Sequence, residues 1–160
     1  MKNFSFVAGR LLLISAALLL CCAGTARAED AIHGQALLIW ATDTAQSPNP
    51  KHIPVDPDLA RKLSRSPYRW KYYFEVRRQD LNIPVGEVKT NIVMSKHCVL
   101  DVRNPGGNRV EVKLYGEGKP VSKTNEKFVE DWPLIFAGSA RNDTAWLVVL
   151  RRTKTTVASK

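Results

Sequence analysis

Successive stretches of this chain place apolar side chains at every second position, and that periodicity limits the fold more than any other feature. In RWKYYFEVRR, residues 69–78, Trp70, Tyr72, Phe74 and Val76 fall on one side. Arg69, Lys71, Tyr73, Glu75 and Arg77 fall on the other. EVKTNIVMS, residues 87–95, aligns Val88, Ile92 and Met94. HCVLDVR, residues 97–103, sets Cys98, Leu100 and Val102 against His97, Asp101 and Arg103. RVEVKLYG, residues 109–116, sets Val110, Val112 and Leu114 against Glu111, Lys113 and Tyr115. A pleated strand turns alternate side chains to opposite faces, so a period of two predicts strands with one apolar and one solvated face.

Two further runs, GQALLIWAT (34–42) and TAWLVVLRR (144–152), are apolar almost throughout, the pattern of a strand covered on both faces. The loop NPGGN (104–108) between alternating runs predicts a β-hairpin. A polar strand at 120–129 reads as a sheet edge guarded by lysines, and WPLIFAG (132–138) as another strand. DTAQSPNPKHIPVDP (43–57) is a proline-rich loop. It leads into a short helix over 56–67, with Asp56 as cap, Pro57 in the first turn, and Leu59 and Leu63 on one face. About eight strands and one helix predict a mainly β fold, an antiparallel sandwich or a partly open barrel.

The first 28 residues have the layout of an export signal. Lys2 and Arg10 precede the apolar run LLLISAALLL (11–20), and Ala26 and Ala28 stand at the positions a signal peptidase reads. Cleavage is expected after Ala28, and the product is expected to be periplasmic or secreted. The alternative, lipid anchoring through Cys21 or Cys22, is disfavoured because neither follows a small residue. The expected organisation is a signal peptide (1–28), one β-rich domain (29–152) and a flexible basic tail (153–160). The leader carries Lys2, Arg10 and Arg27 and no acid. Its removal lowers the basic count from 24 to 21 against 15 acids, and the net charge from +9 to about +6. Past the leader, Cys98 is the one cysteine, which excludes an intramolecular disulfide.

Catalytic and metal signatures are weak. His33, His52 and His97 are far apart, and no CxxC occurs, so no metal and no cofactor are expected. The alternation puts Cys98 inside as a core thiol, away from its neighbour His97. GEGK (116–119) lacks phosphate-loop spacing and is followed by Pro120, so it reads as a turn. Ser139 lacks the glycine pair of a nucleophile elbow. Glu29, Asp30, Glu126, Glu130 and Asp131 read as solvated acids near strand ends.

If the alternating strands are neighbours, Arg69, Lys71, Tyr73, Arg77, Lys89, Arg103 and Lys113 share a basic face suited to an anion or a partner. Glu75, Asp101 and Glu111 would interrupt it as cross-strand charge pairs. ALLIWATD, WKYYFEV, VEVKLYGEGK and NDTAWLVVLRR together resemble a family of small exported bacterial proteins of unknown function, a resemblance that implies no activity. The expectation is an exported non-catalytic β-domain with a ligand- or partner-binding role at the cell envelope. Its partner would be an envelope protein or an anionic polymer, not nucleic acid, with no transmembrane helix past the leader. The alternatives are a structural subunit of an envelope assembly joined through edge-strand pairing, or a small envelope hydrolase with a dispersed site.

Overall fold

A computed structural model describes residues 31–65, 67, 70–140 and 143–153. The signal segment with Ala26 and Ala28, the alternative anchors Cys21 and Cys22, Arg69, and the tail beyond Thr153 lie outside the described residues. The elements are β1 (Ile32–Thr42), β2 (Ile53–Pro54), α1 (Pro57–Ser64), β3 (Tyr72–Ile83), β4 (Val88–Ser95), β5 (Cys98–Gly106), β6 (Arg109–Gly116), β7 (Lys119–Lys127), β8 (Leu134–Ser139) and β9 (Ala145–Arg152). They form two antiparallel sheets, one ordered β2-β3-β1-β9-β8 and the other β4-β5-β6-β7. The fold is the mainly β, sandwich-like arrangement expected, and no barrel closes.

The continuous apolar runs are β1 and β9, at the centre of the five-stranded sheet, and they are covered on both faces. Ala36, Leu38, Val148 and Leu150 point to the four-stranded sheet. There they meet Ile92, Met94, Leu100, Val102, Val110, Val112 and Phe128 in the inner core. Leu37, Ile39, Ala41, Leu147 and Val149 point the other way and pack beneath α1, against Leu59 and Leu63. The four-stranded sheet has one buried face only, and its strands alternate accordingly. Each period in the sequence therefore reports how many faces of its sheet are covered.

α1 starts as its sequence dictates. Asp56 Oδ1 accepts from the Leu59 N–H at 2.9 Å, and Pro57 occupies the first turn, where no N–H is needed. Gly34 sits where β1 is crowded by its neighbour β9 and by the Phe128 ring. A Cβ there would lie 2.7 Å from the Arg151 carbonyl oxygen and 3.3 Å from the Phe128 ring.

The alternation predicted for residues 69–78 needs correction. Strand pairing begins at Tyr72 and runs on to Ile83. Trp70 precedes it and packs against the helix-side core, on the opposite face from Phe74. Tyr73, expected among the charges, is buried at 5 % exposure under α1, while Tyr72, expected inside, is 40 % exposed. The cause is the helix: it turns the outer face of this sheet into a second interior, so neither side of β3 is simply solvated. A register shift opposite Leu38 and Ile39 adds a residue at Val76 and resets the phase of β3.

Candidate binding surface

The basic residues singled out in the sequence do not assemble into one face, because they are shared between two sheets and both sides of one of them. Lys71 is exposed beside the start of β3, where its N–H donates to Asp43 Oδ1 at 3.0 Å. Tyr73 is buried, and burial pushes its phenol up. Arg77 is exposed opposite Leu38, on the sheet face that turns towards the inner core. Lys89, on β4, donates from Nζ to the Asp80 carbonyl at 3.0 Å. Arg103 and Lys113 lie on the outer face of the four-stranded sheet, directly across from Glu111 and Asp101 respectively. Glu111 is paired there with Arg103 at 3.8 Å and Lys123 at 3.2 Å. Asp101 accepts from the Tyr115 hydroxyl at 3.0 Å. Of the expected charge pairs, Glu111 forms one across strands, Asp101 lies opposite Lys113, and Glu75 pairs instead with Arg78 on its own strand, so the acids interrupt the basic residues of this face without cancelling them.

A second charged cluster fastens α1 to the sheet. Arg151 donates through Nε and Nη2 to Gln35 Oε1 at 3.0 and 2.9 Å, and through Nη1 to Asp56 Oδ2. Gln35 Nε2 donates in turn to Asp80 Oδ1 at 3.0 Å. Partial burial pushes the Asp56 carboxyl up, but the Leu59 N–H and the Arg151 guanidinium outweigh it and hold the group below its usual value. A shallow cavity of about 260 Å³ opens beside it, lined by Asp56, Lys62, Glu130 and Arg151 among others. A carboxylate already committed to a helix cap and a guanidinium is a poor proton donor or acceptor at neutral pH. Among the described residues, no three His, Cys, Asp or Glu side chains come together as metal ligands. Cys98 is half-buried against the inner core, and burial pushes its thiol up, which disfavours the thiolate.

The surface that remains is aromatic. Strand register places Gly138, Trp146, Trp40, Phe74 and Pro54 side by side across β8, β9, β1, β3 and β2. Trp40 and Trp146 share the face of Leu38 and Val148, yet neither belongs to the inner core. They stand at the end of the five-stranded sheet that the second sheet does not cover. Trp146 keeps 40 % of its surface exposed, and so does Tyr72, one residue pair further along the same face. The Trp40 and Phe74 rings are 6.1 Å apart at 32°, and the His52 ring lies 6.4 Å from Trp40. His52 is held in turn by Ser47 Oγ, 2.8 Å from its Nδ1. Neighbouring strands are about 4.8 Å apart, so rings on β9, β1 and β3 form a terrace about 10 Å across. Gly138 leaves its outer end low, since a Cβ there would find only the Trp146 carbonyl, at 3.9 Å.

Reading the sequence alone misses this terrace. Trp40 and Trp146 sit inside apolar runs and look like core. The available signal was their common phase: each lies two positions beyond the last inner-core residue of its strand, Leu38 or Val148, towards the same end of the sheet. Comparison of the chain with family models, curated proteins and solved structures finds no match.

Proposed function

We propose that this protein is an exported, non-catalytic β-domain that binds an anionic polymer of the cell envelope, with the aromatic terrace as its binding surface. The observation that carries the reading is the pair of open rings, Trp146 and Tyr72, each 40 % exposed, with the half-buried Trp40 beside Trp146 and the buried Phe74 filling the row between them. Open aromatic rings on a rigid sheet cost solvation unless a ligand uses them. A terrace of this kind suits a flat ligand with an apolar C–H face and polar edges, which is the shape of a sugar ring. Arg77, on the same face beside the terrace, and Lys71, next to Tyr72 in the chain, supply positive charge at its border. That charge favours acidic saccharides over neutral ones. The leader pattern of residues 1–28 supports export.

The test is a titration of the purified protein with a uronic-acid polysaccharide, followed by tryptophan fluorescence. The expected result is a saturable change that weakens as salt is raised. Trp146→Ala together with Tyr72→Ala should lower the affinity by at least about tenfold, or about 1.4 kcal/mol, while the far-UV spectrum stays unchanged. Arg77→Glu should weaken binding to the acidic polymer and leave binding to its carboxyl-reduced form alone. Binding that persists undiminished in the Trp146, Tyr72 double variant would overturn the terrace as the site. A preference for single-stranded DNA, which also stacks on aromatic rings bordered by cations, would overturn the ligand class.

A further inference from the structure

Every open sheet must manage its edges, because an unpaired strand offers its free N–H and C=O groups to any other strand. The sheets among the described residues end in four such strands, and three are blunted. β2 is two residues long and ends in Pro54. β7 carries Lys119, Pro120, Lys123 and Lys127. β4 breaks its ladder between Lys89 and Ile92, where Asn91 takes a left-handed conformation with φ 56°. The fourth edge, β8, has none of these devices. Its six residues, Leu134–Ser139, carry no charge and no proline, and the uncharged stretch extends from Trp132 to Ala140. Leu134, Ile135 and Phe136 are half-buried, and Ala137 and Gly138 are exposed. Three of the large exposed apolar side chains flank it: Val129, Trp132 at 74 % exposure, and Trp146 on the neighbouring strand.

We infer that β8 pairs with β8 of a second copy of this chain, antiparallel about a two-fold axis, to make one continuous ten-stranded sheet. A second copy fits better than another strand-donating partner for a reason of closure. Two-fold pairing consumes both bare edges at once, and the new outer edges are the blunted β2 strands with the stretch of β3 that runs past them, where Arg77, Arg78 and Asp80 carry charge, so assembly stops at two. The uncharged strand meets itself without like-charge repulsion. An axis normal to the sheet maps each face onto itself, so residues that oppose one another across the seam share a face. A register centred on Phe136 sets Phe136 against its own copy and Leu134 against Gly138. The open space over Gly138 takes the leucine side chain. Both cores continue across the seam, because Leu134 and Phe136 border the inner one and Ile135 the helix-side one. The two aromatic terraces then lie on one face, on either side of the join and offset along the strands by about 13 Å.

The experiment is sedimentation of the purified protein over a concentration series, repeated with Ala137→Lys, which puts a charge on an exposed position of the bare edge. The expected result is a dimer at about 100 µM that Ala137→Lys converts to monomer with an unchanged far-UV spectrum. Phe136→Cys should form a disulfide-linked dimer under mild oxidation, because directly opposed residues of an antiparallel pair have Cα atoms about 4.5–5.5 Å apart, inside the range of about 4.4–6.8 Å that a disulfide spans. Amide exchange gives an independent reading: outward-facing β8 N–H groups should be protected in the wild type and exchange freely in Ala137→Lys. A protein that stays monomeric at every concentration overturns the inference. So does a dimer that survives Ala137→Lys and fails to cross-link through Phe136→Cys, since it would use another surface.

Discussion

Asn104 is the buried polar residue on which the joint between the sheets depends. It is 2 % exposed, yet its Nδ2 donates to the Ile83 carbonyl at 2.9 Å and its Oδ1 accepts from the Gly106 N–H at 3.0 Å. Its own backbone N–H and C=O bond to Glu87 and Gly86, so one residue links the end of β3, the turn after it and the β5 bulge. Asn104→Ala should cost about 2–3 kcal/mol in a denaturant melt, because it strands a buried acceptor and a buried donor. A cost below about 0.5 kcal/mol would show that water replaces both bonds. NPGGN looked like an exposed turn in the sequence, and only its Gly107 and Asn108 are one; nothing local distinguishes an asparagine that faces inward from one that faces water. Asp56 gives a pH-dependent counterpart. Its folded pKa is lowered, so its stabilising effect is complete above the unfolded-chain value of about 3.9 and is lost as pH falls through the lower folded value. Asp56→Asn keeps a cap acceptor and loses the charge facing Arg151. The gap in Tm between wild type and Asp56→Asn should therefore be widest near neutral pH and shrink below about pH 4; a gap that stays constant would place the effect in the cap alone.

Among the elements, β3 separates what a period of two can reveal from what it cannot. The hairpin of β5 and β6, the edge strand β7 and the double-faced β1 and β9 all follow from hydrophobic spacing, because each has a simple environment on each face. The environment of β3 changes along its length. Its first residues lie between helix-side core and terrace, its middle carries the bulge, and its end returns to the inner core through Leu81 and Ile83. No pattern within residues 69–78 announces a helix packed on one side, since that contact comes from Leu59 and Leu63, earlier in the chain. The basic face anticipated there fails for the same reason. Its members were assigned by parity within their own strands, and parity does not say which sheet a strand joins. Truncation separates the roles of two aromatic residues once expected to be equivalent. Phe74→Ala should cost about 3–4 kcal/mol, because Phe74 is 7 % exposed. Trp70→Ala should cost less, about 1–2 kcal/mol, because Trp70 is half-buried, precedes the strand and gives up one indole bond to the Asp143 carbonyl at 2.7 Å. Equal losses in paired melts would show that Trp70 is a core residue after all.

For the whole molecule, the decisive feature is that one sheet serves two interiors. β1 and β9 supply Ala36, Leu38, Val148 and Leu150 to the inner core, and Leu37, Ile39, Leu147 and Val149 to the core beneath α1. Neither interior can be lost without exposing one face of strands that the other requires. The helix is eight residues long, too short to persist in water alone, so its order depends on that packing and on the Asp56 and Arg151 bonds. The two cores should therefore melt together. Leu63 and Leu100 are both fully buried, one in each core, and each change to Ala should cost about 2–5 kcal/mol. If the shared sheet couples them, either variant should still unfold in a single transition, with far-UV and near-UV signals coincident and only the midpoint lowered. The opposite result is equally specific. In Leu63→Ala, an early loss of helix signal and of tryptophan near-UV signal, with the β signal persisting to the wild-type midpoint, would make α1 a separable cover. The sandwich alone would then be the stable unit.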